Sequence, residues 1–376
     1  MLRKIILTII VFILSVNTCT FAAPELYINA KSAILMEQST GQILYEQNPD
    51  EQLPIASVTK IMTLLLICEA IDEGKITIDD NVTVSERAMS MGGSTMFLET
   101  GDVISVDEML KGIVVASAND GAVAMAEYIS GSEAEFVAQM NVRAKELGMK
   151  NTQFMNTNGL DADGHYSSAR DVAIMSRELM THPLILNYTK IWTDTMRGGK
   201  FELANTNKLI RFYDGATGLK TGSTSKALCC LSATAERNGM GLVAVVLGAP
   251  DSKTRFNSAR TLLDYGFSAY SIKEIIPANQ ELGRITVSGG VQKDVGCDIR
   301  VSETILLDKG DKSEFTYVIE QSQNIKAPVY KGDCVGEGII YKDNKELKRV
   351  EVYANGDVQK KTFIVSLKEL ICLLST

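Results

Sequence analysis

Ser57 and Lys60 stand three residues apart in Pro54-Ile55-Ala56-Ser57-Val58-Thr59-Lys60, where the apolar run Ile61 to Cys68 begins. One helical turn would bring the hydroxyl and the amine together. A serine attacks a carbonyl only when a neighbouring base takes its proton. A lysine is such a base only when burial or nearby positive charge lowers its pKa. A helix that is apolar nearly all round lies inside a domain, and that interior supplies the desolvation. The pair therefore reads as nucleophile and general base. Alone it is a weak sign, because Ser57 could be an ordinary helix cap with Lys60 in solvent, and the same spacing recurs at Ser223-Thr224-Ser225-Lys226.

Downstream, Ser117-Ala118-Asn119 and then Lys220-Thr221-Gly222 supply what the pair lacks. Ser117 could relay a proton toward a leaving amine, and Asn119 could hold a substrate backbone. Lys220, on an edge strand, would add the positive charge that keeps Lys60 neutral, and Gly222 would leave that strand open to close approach by substrate. Read singly, the first motif is a helix cap before Asp120-Gly121 and the second an ordinary strand end. Lys-Thr-Gly occurs once in the chain, whereas Ser-x-Asn also begins at Ser15 and Ser322. The order Ser-x-x-Lys, Ser-x-Asn, Lys-Thr-Gly is the motif set of penicillin-binding proteins and β-lactamases, where the middle element is Ser-Asp-Asn.

At these residues the chain resembles the low-molecular-mass penicillin-binding proteins, specifically the serine-type D-alanyl-D-alanine carboxypeptidases. The resemblance runs from about Leu26 to the C-terminus. It takes in Asn158-Gly159-Leu160, Tyr166-Ser167-Ser168-Ala169-Arg170-Asp171, Ala204-Asn205-Thr206-Asn207, Asp214-Gly215 and Arg255-Phe256-Asn257. It implies removal of the terminal D-alanine from peptidoglycan stem pentapeptides through an acyl-enzyme on Ser57, without cofactor or metal, and acylation of the same serine by β-lactam antibiotics. It also implies an oxyanion hole made by the backbone N–H groups of Ser57 and Ser223, with Thr221 and Arg255 holding the terminal carboxylate. Where many relatives carry His-Gly-Leu, this chain has Asn158-Gly159-Leu160, which counts against imidazole-assisted deacylation. A β-lactamase is the rival enzyme, but no glutamate before Lys220 stands out as activator of a deacylating water, and an extra β domain is foreign to that reading. A non-catalytic penicillin-sensing or wall-binding module would require an inert Ser57.

Other chemistries lack parts. Of the two histidines, His165 and His182, neither has metal-ligand partners at helical spacing, which argues against a zinc hydrolase. A Ser-His-Asp triad could recruit His165, but Asp161-Ala162-Asp163-Gly164-His165 reads more readily as a turn. There is no Gly-x-x-x-x-Gly-Lys for phosphate. A net charge of -8 without a Lys/Arg cluster argues against nucleic acid as partner.

The elements that must position these residues follow from pattern. With 376 residues, two domains are the default. Residues 32–37 and 42–46 around Ser39-Thr40-Gly41 predict a β-hairpin. Helical spacing covers 107–113, 122–129, 133–147 and 169–180, and extended runs return at 227–235 and 242–248 across Asn238-Gly239. Strands at both ends with helices between predict a mixed α/β domain. Its mainly antiparallel sheet joins first and last strands and carries an inserted helical region, β-lactamase/transpeptidase-like by resemblance. A last helix at 258–268 completes a catalytic domain, 23–274. Short β-type runs at 284–287, 304–307, 315–319 and 350–353 predict a smaller all-β C-terminal domain, 275–360.

The ends of the chain address it outward. Met1-Leu2-Arg3-Lys4, the apolar stretch Ile5 to Val16 and small residues at Thr20 and Ala22 read as an export signal, 1–22, placing the mature chain at the outer face of the cytoplasmic membrane or in the cell-wall space. Cys19 fits lipidation poorly, and the six cysteines beyond it read as buried thiols. In the tail, 361–376, Phe363, Leu367, Leu370, Ile371 and Leu374 fall on one helical stripe among lysines. The stripe is too short to cross a bilayer and suits its surface; the alternative is packing on the β domain.

Overall fold

The computed structural model describes residues 26–322 and 324–364. The expected export signal, Cys19, Cys372 and the stripe from Leu367 to Leu374 lie outside the described residues.

The N-terminal region is built on one five-stranded sheet. Its strands are β1 (Ser32–Glu37), β2 (Ile43–Gln47), β3 (Ala216–Thr224), β4 (Leu228–Arg237) and β5 (Met240–Ala249), in the order β2-β1-β5-β4-β3. Every pairing is antiparallel, and β1 meets β5, so strands from the two ends of the region do adjoin as the pattern predicts. The β1–β2 hairpin turns on Glu37, whose carboxylate accepts the backbone N–H of Ser39 at 2.9 Å and of Thr40 at 2.6 Å.

Helices cover both faces of the sheet, which is why β5 is apolar along its whole length and buried throughout. Alternate side chains of β1 and β5 divide between the two faces. Ile34, Val243 and Val245 join the core beneath α1 (Lys60–Asp72) and α4 (Ala169–Leu179). Ala33, Leu35, Leu242 and Val246 pack with Leu262 and Leu263 of α5 (Ser252–Ala269). The inserted helical region also contains α2 (Asn119–Ser130) and α3 (Glu133–Glu146).

Two helices differ from their sequence patterns in ways that matter for the site. The helix expected at 107–113 runs Val106–Lys111 and then widens into a π turn, Gly112–Ala116, which ends on Ser117 in the left-handed region, φ 63°. The last helix starts at Ser252 rather than Ser258, capped by the Asp251 side chain on Thr254 N at 2.8 Å. Its first turns are polar, so apolar spacing alone missed them.

From α5 the chain passes into β6 (Tyr270–Ile276), which pairs with β9 (Glu303–Asp308). A second five-stranded antiparallel sheet follows from β7 (Gly283–Thr286), β8 (Asp294–Asp298), β10 (Phe315–Gln321), β11 (Cys334–Lys342) and β12 (Lys345–Ala354), in the order β7-β8-β12-β11-β10. It has its own core, from Ile276 and Val295 to Val352 and Val358. Cys68, Cys230 and Cys297 are buried and Cys229 is half-buried, but Cys334 is exposed at the start of β11, contrary to the expectation for all six.

Candidate active site

Ser57 lies in a 3₁₀ turn, Ala56–Thr59, that leads directly into α1. Two glycines press on this turn from opposite chain segments. A methyl on Gly222 of β3 would stand 2.7 Å from the Ile55 carbonyl oxygen and 2.9 Å from Ser57 N. A methyl on Gly159, φ +84°, would stand 1.9 Å from the Ala56 carbonyl oxygen and 2.9 Å from Ser57 N. The close approach at Gly222 is thus made by the backbone of the Ser57 turn.

Lys60, in the first turn of α1, is fully buried. Its Nζ lies 3.1 Å from Ser57 Oγ, 2.5 Å from Asn119 Oδ1 and 2.8 Å from the Asn158 carbonyl oxygen. Two of these partners are pure acceptors. A neutral amine gives its two N–H groups to them and turns its lone pair to the hydroxyl of Ser57, the arrangement a general base requires. Burial pushes the Lys60 pKa well below its ordinary value, and the charge of Lys220 pushes the same way; Asp120 opposes them.

Asn119 opens α2, and both ends of its side-chain amide make hydrogen bonds. Its Nδ2 donates to the Gly92 carbonyl at 2.6 Å and its backbone N to that of Ser94 at 2.7 Å, while Oδ1 faces Lys60. Ser117 is buried beside it as the left-handed end of the π turn, and Lys60 bonds Asn119 rather than Ser117. Asp120 was read only as the neighbour of a helix cap. It is buried, and its carboxylate accepts backbone N–H groups from Met96, Leu98 and Gly121.

Lys220, Thr221 and Gly222 occupy edge strand β3. Burial, helped by the charge of Arg255, lowers the Lys220 pKa to about 7. Thr221 Oγ1 donates to Thr206 Oγ1 at 2.7 Å, and Asn207 Nδ2 reaches the Gly218 carbonyl at 2.7 Å, so the Asn205-Thr206-Asn207 segment braces the strand. Arg255 lies behind Ser223: its Nη1 donates to the Gly222 carbonyl at 2.9 Å and to Ser223 Oγ at 3.1 Å. The guanidinium sits in the first turn of α5 that the sequence pattern placed outside the helix.

Comparison with known proteins agrees with this geometry. The family model described as D-alanyl-D-alanine carboxypeptidase matches residues 18–251. The chain belongs to the D-alanyl-D-alanine carboxypeptidase family. Residues 270–360 match the model described as penicillin-binding protein 5, C-terminal domain. The chain is 47% identical over 348 residues to the D-alanyl-D-alanine carboxypeptidase DacF of Bacillus subtilis, covering 92% of this chain and 90% of that one. Penicillin binding protein 5 from Haemophilus influenzae superposes with a TM-score of 0.73 at 33% identity, over 89% of this chain and 98% of that chain. Penicillin-binding protein D2 from Listeria monocytogenes, solved in an ampicillin-bound form, matches with a TM-score of 0.60 at 34% identity, over 65% of this chain and all of that one.

This member of the carboxypeptidase family keeps its histidines out of the reaction centre. His165 Nδ1 accepts Met155 N at 3.1 Å, which puts the proton on Nε2, 2.7 Å from Thr59 Oγ1. Burial lowers its pKa to about 4, so the ring is a neutral brace behind the 3₁₀ turn. His182 pairs with Asp72. Among the described residues no group of His, Cys, Asp and Glu is placed to hold a metal ion.

Proposed function

We propose that Ser57 of this serine-type D-Ala-D-Ala carboxypeptidase forms an ester with the penultimate D-alanine of a peptidoglycan stem pentapeptide and releases the terminal D-alanine. The observation that carries this reading is the buried Lys60 amine, held 3.1 Å from Ser57 Oγ with its two N–H groups spent on carbonyl oxygens. Lys60 takes the Ser57 proton as Oγ attacks the scissile carbonyl. Charge on the carbonyl oxygen is met by the backbone N–H groups of Ser57 and Ser223, a device worth on the order of 3–4 kcal/mol per donor. Ser117 relays that proton from Lys60 to the leaving amine, which leaves Lys60 neutral again, and Asn119 fixes Lys60 and lines the substrate backbone. Thr221 receives the terminal carboxylate, with the charges of Lys220 and Arg255 behind it. Water then resolves the ester, with Lys60 as base in the absence of an imidazole. β-Lactams acylate the same serine, a reading supported by the ampicillin-bound relative.

Residues 1–22 are proposed to direct export, 23–274 to form the catalytic domain, 275–360 to hold it away from the membrane, and 361–376 to lie on the membrane surface. Phe363 and Ile364, at the start of that tail, are 80% and 66% exposed, which supports an apolar contact outside the fold. Among the described residues no helix is long and apolar enough to cross a membrane. A chain cut after Gln359 is expected to leave anionic vesicles in a sedimentation assay while keeping its D-alanine release.

Labelled penicillin and a D-Ala-D-Ala peptide, assayed side by side, test the function. Stable labelling with D-alanine release, both lost in Ser57→Ala, is the expected result. Rapid penicillin turnover without D-alanine release would identify a β-lactamase instead. Neither labelling nor release would leave a binding module.

A further inference from the structure

Asn119 is an amide, and only one of its two orientations serves a base. Its oxygen faces Lys60 Nζ because its nitrogen is taken by the Gly92 carbonyl at 2.6 Å. Whatever holds Gly92 in place therefore decides which end of the amide the base meets. The segment 92–98 is exposed for most of its length, yet it is fastened to the start of α2 at several points. Ser94 accepts Asn119 N at 2.7 Å. Met96 is fully buried, and its sulfur fills the space that methyl groups on Gly112 and Gly121 would claim, at 2.5 and 3.1 Å. Asp120 closes the attachment: its two oxygens accept Met96 N at 3.1 Å and Leu98 N at 3.1 Å from the segment, and Gly121 N at 2.9 Å from its own helix.

Asp120 is odd as a structural residue. It is almost wholly buried, and no cation pairs with it among the described residues, so its charge is balanced by backbone N–H groups alone. Asparagine could not replace it without loss, because its amide nitrogen would face an N–H donor. We propose that Asp120 is a positioning residue of acylation, acting through segment 92–98: it captures Met96 and Leu98, the segment presents the Gly92 carbonyl, and that carbonyl turns the Asn119 oxygen toward Lys60. This inference rests on the acyl-enzyme reading above. The same carboxylate also acts on the base through space. The charged groups that act on Lys60 are Lys220 from β3, which favours the neutral amine, and Asp120 from α2, which favours the ammonium.

The two effects give Asp120→Asn a signature that a merely structural residue lacks. With the mature wild-type chain and the variant, the second-order rate of acylation by a fluorescent penicillin is measured from acid to alkaline pH beside thermal melting. A misplaced base costs on the order of 10- to 100-fold, and that loss is expected at neutral pH. The acid limb of the profile is expected to move to lower pH, because the charge that favoured the ammonium is gone. An unchanged rate and limb, or a lower melting temperature with both unchanged in the folded protein, overturns the inference. A wild-type chain that is not acylated overturns the acyl-enzyme reading and this inference with it, whereas an acylated wild type beside an unaltered variant overturns this inference alone.

Gly93→Ala tests the same link with the carboxylate intact, and serves where Asp120→Asn does not fold. Gly93 is exposed at φ +81°, and a methyl there would stand 2.8 Å from Asn119 Nδ2. The acylation rate is expected to fall by a similar factor without the acid-limb shift. A Gly93→Ala chain that acylates at the wild-type rate overturns the proposal.

Discussion

The main-chain carbonyl of Asn158, not its side chain, touches the Lys60 amine: it accepts a hydrogen bond from Nζ at 2.8 Å, while Asn158 Oδ1 accepts Leu160 N at 3.0 Å. The contact to Lys60 is made by the main chain, so it is one that any residue at 158 supplies. Asn158→Ala is therefore expected to keep penicillin acylation within about threefold of wild type, with a modest loss of stability, on the order of 1 kcal/mol, for the side-chain bonds removed. Stopped-flow acylation and thermal melting check both parts. A loss as large as that of Lys60→Ala would assign chemistry to the amide itself.

In the proposed acylation the two buried lysines have opposite duties, which is expected to make the rate pH-dependent on both sides. Lys60 must be the free amine, so the rate rises as pH passes its lowered pKa. Lys220 must keep its charge, and with a pKa lowered to about 7 it loses that charge as pH rises further. The second-order rate of acylation, which reports the free enzyme, should be bell-shaped with its alkaline limb near pH 7. In Lys220→Arg the guanidinium stays charged, so that limb should disappear or move far upward. An alkaline limb unmoved in Lys220→Arg would mean that another group titrates there.

How much of this was legible in the sequence divides by atom type. Ser57, Lys60, Asn119 and the Lys220–Gly222 strand carry their chemistry in side chains at fixed spacing, and the closure of the sheet shows in the apolar runs of β1 and β5. The Asn158 contact is a backbone carbonyl, and any residue has one. Asp120 reads as a cap because its partners, the N–H groups of Met96 and Leu98, come from a loop that no periodicity places beside α2. Arg255 was found by resemblance alone, because the turn that carries it is polar, with Ser252 and Lys253 exposed, and shows no apolar spacing.

Gly159 separates steric crowding from backbone strain. Both Gly159 and Gly164 have left-handed φ, +84° and +80°, but a methyl on Gly159 would overlap the Ala56 carbonyl oxygen at 1.9 Å, whereas one on Gly164 would make ordinary contacts with Met155 Sδ at 3.8 Å and Gln153 Oε1 at 4.0 Å. Gly164→Ala should cost roughly 1–2 kcal/mol for the left-handed backbone. Gly159→Ala adds overpacking of about 1–3 kcal/mol and should also displace the Ser57 turn and lose most acylation. Chemical denaturation with penicillin labelling of both variants measures the contrast, and equal stability with intact labelling would contradict the packing of the 158–160 loop on the nucleophile.

Arg255 offers the last test, because it acts on the site by contact and by charge. Its contacts hold the Gly222 carbonyl and Ser223 Oγ, and its charge is a cause of the lowered Lys220 pKa, after burial. Removing the guanidinium relieves that repulsion, so in Arg255→Ala the Lys220 pKa rises and the alkaline limb of acylation moves to higher pH. Arg255→Lys keeps a positive charge, so its limb should stay nearer the wild-type position even though the forked contacts are lost. If the guanidinium also supports the carboxylate of the peptide, D-alanine release should fall further than penicillin acylation in both variants, since opening of the strained β-lactam ring drives acylation and makes it less dependent on that contact. Peptide hydrolysis and penicillin labelling across pH distinguish the parts. An alkaline limb that stays in place in Arg255→Ala would remove Arg255 from the electrostatics of Lys220, and equal losses on both substrates would remove it from carboxylate recognition.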